Sequence, residues 1–167
     1  AIEKISNGKH VKDFNISEVT PIMTMGSMNN MQHSTPIGNI EKIEGVPVYH
    51  SWISFLMSTN TGSNNTWNLS FNYQIRDSAG TIGNKPLYVK ALSSGLSNLK
   101  SFKYNGNTYF LSLVNPNNFV TGVNTIKAYI SKKSSVITTP YALASEQFIV
   151  AITPTMPDMG NHTSPNN

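Results

Sequence analysis

The nine residues Trp67-Asn68-Leu69-Ser70-Phe71-Asn72-Tyr73-Gln74-Ile75 alternate apolar and polar without a break. A period of two sends successive side chains to opposite faces of an extended chain, so this stretch predicts a half-buried strand. The run from Val46 to Met57 is β-branched and aromatic, with Tyr49, Ser51, Ile53 and Phe55 on one side, and predicts another strand. Near the start, 1–6 alternates weakly, Asn7-Gly8 is a tight-turn signal, and His10 to Ser17 predicts a second short strand. Further strands are expected over 86–92, over 101–104 and 108–114 around Asn105-Gly106-Asn107, over 123–131 and over 146–153. Residues 77–85, rich in Gly, Ser and Asn, read as a junction. No stretch combines the caps and periodicity of a helix longer than about ten residues. Short strands divided by turn residues predict an all-β fold, an antiparallel immunoglobulin-like sandwich.

One stretch departs from this pattern. Between Thr20 and Pro36 lie Met23, Met25, Met28 and Met31, four of the seven methionines, followed by His33. Pro21, Gly26 and Pro36 predict a loop there, and its Gly, Ser, Asn and Thr neighbours offer the thioethers little apolar packing. A shorter version closes the chain, with Met156, Met159 and His162 inside 153–165. Val19-Thr20-Pro21-Ile22-Met23 aligns with Ile152-Thr153-Pro154-Thr155-Met156, and His33-Ser34-Thr35-Pro36 with His162-Thr163-Ser164-Pro165. Each copy follows an expected strand. The repeat divides the chain into 1–82, with the Met-rich loop 20–36, and 83–167, with the Met/His motif 153–165. These are either two small sandwiches or one compact body made of complementary halves.

Composition narrows the chemistry. Charged residues make up 12% of the 167, which is about half the usual share. The net charge of +4 is scattered, Arg76 is the sole arginine and Lys132-Lys133 the sole basic doublet. Phosphate and base recognition lean on arginine, so a nucleic-acid partner is not expected. The absence of cysteine excludes disulfides, thiolate metal sites and a cysteine nucleophile. The carboxylates are dispersed, and neither a Gly-x-Ser-x-Gly elbow nor a phosphate-cradling glycine loop occurs, so an enzyme is not expected. No apolar run approaches the roughly 18 residues of a membrane span. Asn, Ser and Thr stand where Lys and Glu usually cover a surface, which suits a secreted, periplasmic or cell-envelope protein. With Ala1 in first place the chain reads as a mature or trimmed form, compatible with an upstream signal or lipid anchor.

Thioether sulfur is soft and, with imidazole, suits Cu(I) among biological metals. It carries no proton and survives where thiolates are lost to disulfides. The two- and three-residue spacings among Met23, Met25, Met28 and Met31 let one short segment turn several sulfurs inward, with His33 as a nitrogen donor. Met156, Met159 and His162 offer a second set. The competing reading is packing, because methionine fills irregular gaps. Met57, beside Leu56, is read as core, and His10 and His50 as surface residues.

Three features resemble the YtkA-like family of extracytoplasmic β-sandwich domains. A strand runs into Met-Pro-Asp-Met-Gly-Asn-His-Thr-Ser-Pro (Met156 to Pro165), similar to that family's Met-Pro-x-Met-x-His pattern. Gly122-Val123-Asn124-Thr125-Ile126 opens the strand before it, and Trp67 begins a strand where such domains often carry Gly-x-Trp. Residues 1–80 resemble the later part of one such domain, and 83–167 the earlier part of another. The resemblance implies copper handling. The expected function is a cell-envelope protein that sequesters Cu(I) or passes it to a copper-transfer partner. The rival expectation is a non-catalytic adhesive or structural module whose Met loop packs or meets a partner.

Overall fold

The computed structural model describes residues 5–6, 9–10, 14–59, 64–75, 78–90, 98–115, 120–153, 155–156 and 162–163, by backbone alone at 5–6, 9–10, 84–85, 156 and 162–163. Its strands are β1 (Ile5–Ser6), β2 (Lys9–His10), β3 (Asn15–Met25), β4 (Met31–His33), β5 (Glu41–Lys42), β6 (Tyr49–His50), β7 (Asn65–Ile75), β8 (Ser78–Leu87), β9 (Leu99–Tyr104), β10 (Asn107–Asn115), β11 (Lys127–Lys132), β12 (Thr155–Met156) and β13 (His162–Thr163). Every strand pair is antiparallel, and the protein is all-β, as its alternation predicts. None of its described helices is long and apolar enough to cross a membrane.

A four-stranded sheet in the order β4-β3-β7-β8 carries the first half. Strand β7 is the alternating run Trp67 to Ile75, extended by two residues at its start. Strand β3 was not expected over its second half, where Pro21 predicted a loop. The proline is tolerated because of where its missing N–H would point. Pro21 O accepts from Ser34 Oγ at 2.7 Å. In a strand a residue's N–H and C=O share one side, so Pro21's donor-free nitrogen faces that same side, beyond the end of β4, and no bond to β7 is lost. A bulge at Ser17 keeps Ile16 and Val19 on one buried face, and Pro21, Met23 and Met25 continue it.

Of residues 77–85, expected as a junction, 78–85 instead form most of β8, and 77 lies outside the described residues. Gly80 pairs with Tyr73, and a β-carbon there would lie 2.7 Å from Tyr73 Oη. The aromatic ring covers the glycine, which offsets its poor strand propensity. The reverse holds for Val46 to Met57, where only Tyr49–His50 is a strand. That run crosses the sheet face as an irregular cover. Ile37, Ile40, Tyr49 and Ile53 pack on Phe14, Ile16 and Val19, and Phe55 packs on Met23, Met25 and Trp67. Met57, expected in the core, is 43% exposed.

The second half contains the sheet β11-β10-β9. Asn105 and Gly106, both at positive φ (45° and 73°), make the tight turn that the sequence predicts between β9 and β10. The strand expected over 123–131 begins only at Lys127, and that over 86–92 ends at Leu87. Residues 146–153 do not join a sheet, although their composition predicts a strand. Past Ala144, whose N–H donates to Ile130 O at 2.8 Å, the segment leaves the β11 edge, and Ile149 stands fully exposed. Strand propensity needs a neighbour to pair with, and the described residues provide none there.

The halves meet at the His-Ser-Thr-Pro segment. Ser34 N donates to Ile137 O at 2.7 Å, Tyr141 N to Thr35 O at 3.2 Å, and Pro36 bridges Tyr141. Trp52 stacks on Tyr129 with ring centroids 4.9 Å apart.

Candidate functional site

The Met-rich stretch folds as a hairpin. Strand β3 ends at Met25, a 3-10 turn spans Gly26–Met28, and Asn29 and Asn30 take left-handed φ values that asparagine tolerates. Gly26 N donates to Asn64 O at 3.1 Å, and a β-carbon on Gly26 would collide with Asn64. Glycine is needed for that approach.

The register then decides which donors meet. Met23 pairs with His33 across β3–β4, and Met25 with Met31. On its other side Met23 pairs with Trp67 of β7. Paired residues share a face, and so do residues two apart, so Met23, Met25, Met31, His33 and Trp67 occupy neighbouring positions on one face. Met28 lies in the turn. Met23 and Trp67 are fully buried and Met25 nearly so, which answers the expectation that these thioethers lack apolar neighbours: the tertiary fold provides them. Met28 and Met31 remain about half exposed, at 52% and 48%.

His33 is held tightly. Its sequence neighbours Ser34, Thr35 and Pro36 are fully buried. Ser34 Oγ donates to Pro21 O, Thr35 Oγ1 donates to Ser54 O, and Leu56 N donates to Thr35 Oγ1. The ring itself is 8% exposed and meets Trp67 edge-on, with centroids 5.3 Å apart and planes at 89°. His33 Nδ1 lies 3.0 Å from Ser34 O. A carbonyl oxygen can only accept, so Nδ1 carries the proton, and in the neutral ring Nε2 presents its lone pair. Nε2 is buried and has no hydrogen-bond partner among the described residues. A backbone carbonyl fixing one ring nitrogen while the other stays free is the usual arrangement of a ligating histidine.

Trp67 was not singled out as a site residue by sequence reasoning. Its Nε1 donates to Met57 O at 2.9 Å and Phe55 packs against its ring, which fixes the indole. Its alternating strand showed that it would be buried, but only the β3–β7 register puts it beside Met23.

Of the tail donors, Met159 lies outside the described residues. Met156 pairs with His162 across β12–β13, the same Met-opposite-His pairing that Met23 and His33 make. His50 is exposed and bonded to Glu41 Oε2 at 2.7 Å, in keeping with its surface assignment, and the His10 side chain lies outside the described residues. Among the described residues no group of three or more His, Asp or Glu could hold a metal ion.

The most displaced carboxyl lies elsewhere. Tyr109 Oη donates to Glu146 Oε1 at 2.7 Å and Lys132 Nζ to the same oxygen at 3.0 Å. The Tyr109 and Lys132 hydrogen bonds hold the Glu146 carboxyl down at about 2. Burial, then the Glu146 bond, pushes the Tyr109 phenol up, and the Glu146 bond raises Lys132. The trio ties β10, β11 and the 146–152 segment together beside an open apolar groove of about 460 Å³ lined by Leu111, Ile130, Phe148 and Val150. Lys132 and Glu146 form an ion pair, with Nζ 3.0 Å from Oε1.

No protein-family model matches the chain, and no curated protein or solved structure is found to be similar to it.

Proposed function

We propose that the protein binds Cu(I) on the β3–β4–β7 face, with Met23, Met25 and His33 as inner donors, Met31 beside them and the Trp67 indole as a wall. The observation that carries this reading is the buried Nε2 of His33, without a hydrogen-bond partner among the described residues, at a register position opposite Met23. Burying a ring nitrogen without a partner is costly, and a soft cation held jointly with thioethers would remove that cost. Core packing alone accounts for Met23 and Met25. It does not account for an unpartnered imidazole nitrogen, nor for exposed methionines at 28 and 31. The buried indole, perpendicular to the His33 ring, keeps water from the donors.

The proposed role is extracytoplasmic sequestration of Cu(I) or its delivery to a copper-transfer protein, without catalysis, in an immunoglobulin-like sandwich of YtkA-like kind. Met156, Met159 and His162 are proposed as a second, separate donor set. The test is anaerobic competition for Cu(I) against bicinchoninate, with the wild type beside M23L/M25L/M31L. The wild type is expected to withdraw copper from the chelator and the triple variant to leave it there. Equal, weak competition by both would overturn the reading and favour the structural-module alternative, for which methionine and leucine are interchangeable.

A further inference from the structure

The donors of the β3–β4 hairpin differ in access along one line. Met28 and Met31, about half exposed, stand at the tip. Met25, 6% exposed, pairs with Met31, and one rung further in lie Met23 and His33. Folding does not explain methionine at the two outer positions. Their neighbours Ser27, Asn29, Asn30 and Gln32 are polar and exposed, and no hydrophobic cluster includes either side chain. Among the described residues the other approaches to the inner rung are walled. Trp67, Ser34 and Thr35 are fully buried, Phe55 packs on the indole, and the backbone of 34–37 is bonded to 137–141. Among the described residues the hairpin tip is the open end.

We propose that Met28 and Met31 form an outer capture point, which takes Cu(I) from an exchangeable donor and passes it inward by way of Met25 to Met23 and His33. This rests on the Cu(I) reading of the inner site and adds the route by which that site is loaded. Rungs on one face are two residues apart, about 7 Å along the strand, and paired β-carbons stand about 5 Å apart. Unbranched methionine side chains reach across such gaps from either side, so sulfurs of successive rungs can hold one ion together. Each move forms one Cu–S dative bond as another breaks. Copper remains Cu(I) throughout, no electron is transferred, and no proton is released. The thioethers have none to lose, and a neutral His33 ring offers the Nε2 lone pair while Nδ1 keeps its proton on Ser34 O. The fitting donor is a soft complex that surrenders Cu(I) by ligand exchange, at a surface where thioether sulfur can reach the ion.

Stopped-flow mixing of the apo-protein with Cu(I)–bicinchoninate under anaerobic conditions tests the route, read by chelator absorbance and tryptophan fluorescence. M28L/M31L changes two exposed side chains, and its melting curve verifies that it folds. It is expected to load about tenfold more slowly, within the range over which on-rates move among variants of one site, a slowing larger than any fall in its final copper partition. M23L is expected to do the opposite, with a reduced final partition. Loading of M28L/M31L at the wild-type rate would overturn the capture point, as would a slowing no larger than its loss of affinity. A wild type that takes no copper from the chelator refutes the inner site itself, a different outcome from either of these.

Discussion

Replacing Met23 with leucine separates packing from coordination, because the two side chains are close in volume and only one is a donor. Met23 is fully buried against Trp67, with Phe55, Leu87 and Val89 around the cluster. A volume-conserving swap in such a core costs less than about 1.5 kcal/mol, whereas truncation to alanine would cost about 2–5 kcal/mol. In a chain of this size each kcal/mol moves Tm by about 2–4 °C, so apo M23L should melt no more than about 6 °C below the wild type. The copper increment should respond far more. Free Cu(I) buffered at about 100 times Kd adds about 2.7 kcal/mol to the wild type. Loss of an inner donor should weaken binding by about 30-fold, inside the range found when groups that merely support a ligand are removed. Buffered Cu(I) then stands at roughly three times the new Kd, and the increment shrinks to about 0.8 kcal/mol. The difference of about 1.9 kcal/mol corresponds to a Tm increment smaller by about 4–8 °C. Anaerobic scanning calorimetry of apo and copper-buffered samples reads both quantities. A copper increment in M23L equal to the wild type's refutes Met23 as a donor. A collapse of apo M23L refutes the packing argument on which the comparison rests.

Two further outcomes follow from the other features. The Glu146 carboxyl titrates near 2 in the folded protein against an ordinary 4.5, so its contribution to stability is present above about 4.5 and lost as pH falls towards about 2. Urea midpoints measured across that window should fall less steeply for E146Q than for the wild type, and parallel curves would contradict the assigned ion pair. In the tail, M156L/M159L should lower the total copper bound, read by native mass spectrometry, and leave the calorimetric increment of the inner site unchanged. An unchanged copper capacity would remove the tail from the donor set.

Where the sequence was readable, local pattern and tertiary structure agree. The strand at Trp67 to Ile75 and the Asn105-Gly106 turn need only their own residues, a period of two in one case and a pair of left-handed positions in the other. Strands β3 and β8 were hidden because each contains residues that weaken an isolated strand. Pro21 is harmless only because β4 stops short of it, and Gly80 only because Tyr73 covers it. Neither fact can be seen without the neighbouring strand. Residues 146–153 show the converse, a strand-like composition with no ladder to join among the described residues.

The candidate site divides in the same way. Met23, Met25, Met28, Met31 and His33 stand out as donors from their types and spacing, but treating them as a loop makes them equivalent, and they are not. Period two puts Met23 and Met25 on the buried face, the turn sends Met28 to solvent, and the hairpin register sets His33 opposite Met23 and Met31 opposite Met25. Trp67 joins them through the second register, with β7, which no spacing within 20–36 contains. The five residues between β3 and β4 therefore matter more than their polar, loop-like composition suggests. A connection that slipped the register by one residue would turn His33 to the opposite face, away from Met23 and Trp67. The Met-rich segment is thus specified less by its number of sulfurs than by the turn that aligns one imidazole with two of them.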